Sequence, residues 1–231
     1  MRHLKVLGVA LVAIFALGLT ATSALAEITL PDVHILEGTE KYPLHLNFAD
    51  NGLTPTALHA AAGGVLEGKG VSILTLTNEL SALGLFSATF LNVTNAAKEK
   101  CNTAGDVAGE VLSSGEFHIV PVNLTTLQFG VAFLATEIAI KCGLTTIHIK
   151  GCVLSTLEVA NESEVKAIKG ALEGDKKGKN TLTKYIDDLG EPLECILLSD
   201  FGTGFKQSSE EVGEAVTLEA LEKKMFTILN L

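Results

Sequence analysis

The chain has 231 residues, with 17 Lys+Arg against 27 Asp+Glu and a formal net charge of −10. An acidic surface of this kind argues against nucleic acid and anionic membranes as partners. With no Trp and 2 Tyr, the chain also lacks the aromatics on which sugar sites stack their substrates.

The first residues read as a leader. Met1-Arg-His-Leu-Lys5 is basic, residues 6–19 are an apolar run, and Ser23-Ala-Leu-Ala26 supplies a small-residue cleavage pattern before Glu27. The run is short for a membrane-spanning helix, which needs ~20 residues. Residues 1–26 are therefore expected to be a secretory signal peptide and residues 27–231 a secreted β domain. Loss of Arg2 and Lys5 takes the charge from −10 to −12. The expected location is extracellular or associated with the cell envelope, with no transmembrane segment after signal cleavage. Cys101, Cys142, Cys152 and Cys195 all lie in this exported part, where disulfides persist.

In the mature part, Leu44, Leu46 and Phe48 alternate with polar residues, and Asp50-Asn-Gly52 is a turn signal. Residues 56–62 are Ala-rich but end at Gly63-Gly64, too short for an isolated helix, and read as strand. Residues 71–77 and 83–94 have β composition. Residues 95–105 form a polar loop carrying Cys101. Residues 107–120 read as a hairpin turning at Ser113-Ser-Gly115. Residues 127–134 are apolar on both parities, as in a strand buried on both faces.

The clearest element is a hairpin at residues 136–152. Ile138, Ile140 and Cys142 share one parity, with Glu137, Ala139 and Lys141 on the other. Beyond Gly143-Leu144 the alternation resumes, with Ile147 and Ile149 against Thr146, His148 and Lys150. Gly-X between two such runs suits a type II′ turn, because Gly takes the positive φ at its first central position. This register sets Cys142 opposite Thr145, Ile140 opposite Ile147, Ile138 opposite Ile149 and Glu137 opposite Lys150. Each pair is worth roughly 0.2–1 kcal/mol. It places His148, like His118, on an outward sheet face. It also separates Cys142 from Cys152 by about seven steps of ~3.4 Å, well beyond the ~7 Å between Cα atoms that a disulfide tolerates. Two pairings remain. Either Cys101 joins Cys142 and Cys152 joins Cys195, or Cys101 joins Cys152 and Cys142 joins Cys195.

Residues 153–159 continue extended. Residues 164–173 fit either an amphipathic helix or a strand, and residues 173–180 are a charged turn. Residues 181–186 and 193–198 flank the turn Asp187-Asp-Leu-Gly-Glu-Pro192. Asp200-Phe-Gly-Thr-Gly-Phe205 is a Gly-rich corner, and residues 215–220 and 224–229 are the last two strands. Turn signals every 8–12 residues predict an all-β fold, an antiparallel β-sandwich or barrel built from successive hairpins. A break near 155–163 would allow two packed β subdomains.

The order of several landmarks resembles a group of secreted, β-rich bacterial proteins of unknown function, common in actinobacteria. The matching stretches are Cys101-Asn-Thr-Ala-Gly-Asp-Val-Ala-Gly-Glu110, Ile140-Lys-Cys-Gly143 with Ile147-His-Ile-Lys-Gly151, Tyr185-Ile-Asp-Asp-Leu-Gly190, and Leu197-Leu-Ser-Asp-Phe-Gly-Thr-Gly-Phe-Lys-Gln207 with Ala215-Val-Thr-Leu218. The resemblance implies successive hairpins of one extracellular domain and carries no activity. It departs near Asn92–Thr94, where a strand ending in Gly-Cys is expected and this chain has no Cys.

Candidate chemistry is sparse. Asp187, Asp188 and Glu191 share a turn and could hold Ca²⁺ through carboxylates and carbonyls. Asp32, His34 and His45 could bind a transition metal if adjacent strands bring them together. Asp200-Phe-Gly202 copies a kinase magnesium motif, but the other kinase motifs are missing and a β-turn accounts for it. Ser113 and Ser114 precede His118, with no nucleophile elbow and no third triad member. Asn92, Asn123 and Asn161 head glycosylation-like tripeptides that also suit strand composition. No cofactor is implied and no partner is named, although a cell-envelope or protein partner fits. The expected function is a non-enzymatic structural or interaction module. An alternative is a binding protein for a small hydrophobic ligand between sheets, motivated by residues 127–134. An extracellular hydrolase is the third reading.

Overall fold

The computed structural model describes residues 33–37, 40–41, 47–50, 53–76, 83–126, 128–157, 167–187, 190–212, 216–220 and 227–230. Every regular element among them is a strand. In chain order they are β1 (Val33–Glu37), β2 (Glu40–Lys41), β3 (Asn47–Asp50), β4 (Thr54–Ala60), β5 (Val65–Leu76), β6 (Leu83–Asn95), β7 (Cys101–Thr103), β8 (Glu110–Asn123) and β9 (Gln128–Cys142). There follow β10 (Thr145–Leu157), β11 (Ala167–Ala171), β12 (Lys184–Ile186), β13 (Pro192–Glu194), β14 (Leu197–Asp200), β15 (Lys206–Val212), β16 (Val216–Ala220) and β17 (Thr227–Asn230). Residues 1–26, expected to be a signal peptide, lie outside the described residues.

The fold is all-β and antiparallel, as expected, and the barrel alternative is the one adopted. Strands β4, β5, β6, β8, β9, β10, β14 and β15 pair in a closed ring, in which β9–β10 completes the circuit. Two arms close it. β5 pairs with β4 along Val65–Gly70 and with β3 along Ile73–Thr75. β10 pairs with β14 along His148–Gly151 and with β11 at Thr156 and Leu157. One arm is therefore β14–β15–β4, and the other is β11–β16–β3. The arms part at Val71 and Ser72 on β5 and across Cys152–Ser155 on β10. Strands from both sides of residues 155–163 share one ring, so the allowed break there does not divide the sheet. The pairs β12–β13 and β17–β1–β2 form two small separate sheets.

Alternation along each strand fills the barrel. Phe117, Ile119, Phe129, Val131, Ile140, Ile147 and Leu74 are buried on the inward parity. The predicted register of the central hairpin is formed from Thr145↔Cys142 to Ile149↔Ile138, with Gly143 at φ 59°. It then changes. A bulge sets Thr136 and Glu137 opposite Lys150, so the predicted Glu137–Lys150 pair is not made. Glu137 Oε1 instead lies 3.3 Å from His148 Nδ1, and Lys150 Nζ sits 4.0 Å from the Phe205 ring centroid. The bulge has a cause in the sequence. The inward apolar residues of β9 are odd-numbered up to Ala135 and even-numbered from Ile138, and one extra residue lets both sets face inward.

The doubly apolar stretch in β9 is also explained. Its outward Ala132 and Leu134 join Val120, Cys152, Leu154, Tyr185 and Cys195 in a second cluster outside the ring. Full burial of a side chain such as Leu154 is worth about 1.5–3 kcal/mol. Disulfides hold both regions. Cys101 pairs with Cys142 across β7–β9 and Cys152 with Cys195, with Cα separations of 4.2 and 4.9 Å. This selects the first of the two pairings.

Two further expectations are corrected and one ambiguity is settled. No hairpin turns at Ser113-Ser-Gly115, because β8 runs straight through from Glu110 to Asn123. Gly115 is there because a Cβ would collide with the Leu134 carbonyl oxygen of β9. The loop carrying Cys101 contains the short strand β7, and residues 167–171 are strand, which settles the helix-or-strand ambiguity.

Candidate functional site

The barrel is not completely filled. A cavity of about 180 Å³ lies in its interior. Its wall is mostly apolar: Leu66, Phe86, Ala88, Phe90, Val111, Phe133, Ile138, Ile149 and Val153 all contribute. The Phe86 and Phe133 rings meet edge to face at 5.3 Å between centroids. The lining reaches Val71, Ser72, Ser155, Gly170 and Leu172, the region where the two closing arms part. Eight strands give a barrel interior that either fills with side chains or holds one small ligand. An engineered apolar cavity of about 150 Å³ already accepts benzene.

Polar groups enter this wall at few points: Thr54, Thr56, Ser72, Ser113, Ser155 and Glu210, with Glu67 at its margin. Glu210 is set by β15. Ser208, Glu210 and Val212 share the inward parity, and Ser208 Oγ hydrogen-bonds to inward-facing Ser199 Oγ on β14. The backbone of β15 is fixed on both sides. Residues 208–212 pair with β4, while Glu210 N donates to Asn180 Oδ1 and Val212 N to the Leu172 carbonyl. Ser209 Oγ, facing outward, donates to the Asp175 carbonyl.

The Glu210 carboxyl has no hydrogen-bond or ion-pair partner among the described residues. The surrounding protein desolvates it and pushes its pKa up to about 7. Among the described residues no Lys, Arg or His lines the cavity. Glu67 differs: its carboxylate meets Lys98 Nζ at 2.8 Å outside the barrel, and that bond holds its pKa below the ordinary value.

The residues singled out from sequence sit elsewhere. Asp187 Oδ1 accepts the Glu191 amide at 2.7 Å and Asp187 N donates to the Glu191 carbonyl, so these two residues shape the β12–β13 turn. Asp188, Asp32 and His45 lie outside the described residues. No group of three His, Cys, Asp or Glu is placed to hold a metal among the described residues. Asp200 Oδ1 accepts the amides of Gly202 and Gly204, which gives the Gly-rich corner its turn. Ser113 faces the cavity and Ser114 faces outward.

His118 is not the solvent-facing residue expected. It points away from the barrel interior yet is buried, with neither ring nitrogen hydrogen-bonded among the described residues. Glu116 Oε2 lies 3.7 Å away, too far for a hydrogen bond. Burial therefore outweighs the carboxylate and lowers the His118 pKa.

Sequence reasoning missed Glu210 because it missed β15 as a strand. Lys206-Gln-Ser-Ser-Glu-Glu-Val212 has no apolar residue before its end. The available signal was the alternation Ser208, Glu210, Val212, which resembles an ordinary polar loop when read alone.

Fold and site together define an eight-stranded antiparallel barrel with an apolar interior cavity and a half-buried acid, Glu210, on its wall. No family model matches the chain, and neither a curated protein nor a solved structure does.

Proposed function

We propose that this is an exported binding protein whose barrel interior holds one small, predominantly apolar ligand. The observation that carries this reading is the Glu210 carboxyl, half-buried and without a partner among the described residues, facing a cavity of about 180 Å³. A half-buried acid without a partner against an apolar wall is costly, and a fold that needed only a filled core would place a Leu or Val there. The structural or interaction module expected first from the sequence requires no such residue. The volume suits a ligand of about the size of a substituted benzene, below the range of most drug-sized sites. Export is supported by two disulfides, which persist in oxidising compartments. No helix among the described residues is long and apolar enough to cross a membrane.

The test is a thermal shift with toluene on the disulfide-intact protein and on Ala88→Leu, which fills part of the wall. Toluene should raise the Tm of the native protein and leave that of the folded variant unchanged. An equal shift in both, or none in the native protein, would overturn the reading.

A further inference from the structure

We infer that the cavity ligand is a small hydrophobic amine, bound as a cation with its ammonium against the Glu210 carboxylate. This rests on the cavity-binding reading and specifies its ligand class. The inference comes from what the lining contains and what it omits. Among the described residues of the wall, Glu210 alone carries charge into the cavity. Among the described residues no basic side chain is there to receive an anionic headgroup, so a carboxylate or phosphate ligand would meet a like charge in an apolar site. An ammonium has three donors and no acceptor. The wall offers complementary acceptors in the Glu210 carboxylate and in hydroxyls such as Thr56, Ser113 and Ser155. The rings of Phe86, Phe90 and Phe133 supply the apolar remainder. Glu210 is half-buried and partly desolvated by the surrounding strands, so the ligand adds a partner to a desolvation already partly incurred.

The charged groups on the elements around Glu210 have other commitments. On β15 itself, Glu211 Oε2 lies 3.5 Å from His59 Nε2 of β4, on the parity opposite to Glu210. On β5, Glu67 is bonded to Lys98, and Lys69 has the outward parity. In the segment that packs on the outer edge of β15, Glu173, Lys176, Lys177 and Lys179 are exposed, and Asp175 Oδ1 accepts the Lys177 and Lys179 amides. On β14, Asp200 holds its own turn. None of them neutralises Glu210.

The amine requires Glu210 ionised, so its binding is linked to a proton. With the Glu210 pKa at about 7 in the free protein, amine affinity should fall about tenfold for each pH unit below that value and level off above it. A neutral ligand should show no such slope.

The experiment is titration calorimetry with benzylamine, benzyl alcohol and sodium benzoate, three probes of nearly one shape, at pH 8 and pH 6. At pH 8 benzylamine should bind at least tenfold more tightly than benzyl alcohol, with benzoate weakest. At pH 6 that advantage should shrink, and in Glu210→Gln it should vanish while benzyl alcohol still binds. Benzyl alcohol binding as tightly as benzylamine at pH 8 would overturn the amine inference and leave the cavity reading intact. Failure of all three probes would overturn both. The ranking on the native protein decides even if the variant does not fold.

Discussion

Half-buried Glu210 and buried His118 are two ionisable groups with opposite consequences for stability. Glu210 has a folded pKa of about 7 against an ordinary value of 4.5. The native state thus holds its proton more tightly than the unfolded chain. Its contribution is complete below pH 4.5 and is lost as pH rises through about 7, by on the order of 3 kcal/mol. His118 has a lowered pKa, so the unfolded chain takes the proton first. Its contribution is present above about pH 6.5 and is lost as pH falls below that. The two slopes oppose each other in the native protein, and single variants separate them. Urea denaturation of Glu210→Gln should show a stability gain over the native protein at pH 8 that disappears by pH 4.5. His118→Leu should gain most at acid pH. A gain for Glu210→Gln that is independent of pH would place its carboxyl in water.

At the scale of elements, the disulfides and the close strand contacts carry the predictions. Each disulfide spans a sequence separation near 40 residues, 41 for Cys101–Cys142 and 43 for Cys152–Cys195. Chain-entropy arguments give each about 4 kcal/mol of stabilisation. Peptide mapping without reduction should return these two pairs, and a Cys101–Cys152 peptide would refute the β7–β9 register. Removing either pair should lower the urea midpoint substantially. Gly115→Ala should destabilise by about 1–3 kcal/mol or more, because the added methyl meets backbone of β9 rather than a movable side chain. Much of this architecture was readable in the residues. Ile138, Ile140, Ile147 and Ile149 specified the hairpin register because a one-residue slip would expose them all. The Thr136–Glu137 bulge was missed because Glu137 and Lys150 make an attractive pair when parity is followed without interruption. β8 was broken at Ser113-Ser-Gly115 because those residues are turn formers. Here Gly115 answers a close approach from β9, a contact remote in sequence and invisible to local reading.

At the scale of the molecule, the long strands β5, β6, β8, β9 and β10 form a common wall closed by two arms, with the cavity where the arms part. The candidate site was less legible than the fold for this reason. It draws on β4, β5, β6, β8, β9, β10, β11, β14 and β15, and no two of its polar residues form a motif in the chain. The acidic pairs that looked like chemistry, such as Asp187 with Glu191, stabilise a turn. The acid that faces the cavity sits in a strand too polar to be recognised as one. The central claim is that the barrel interior is a binding site. Methyl-detected NMR during a toluene titration tests it most directly. The account predicts saturable shifts at the inward Val93, Val111, Ile138, Ile140, Ile149 and Val153, with the outward Ile73 and Leu85 unmoved. Shifts confined to Ile73, Leu85 and other exposed methyls, with the interior silent, would contradict it.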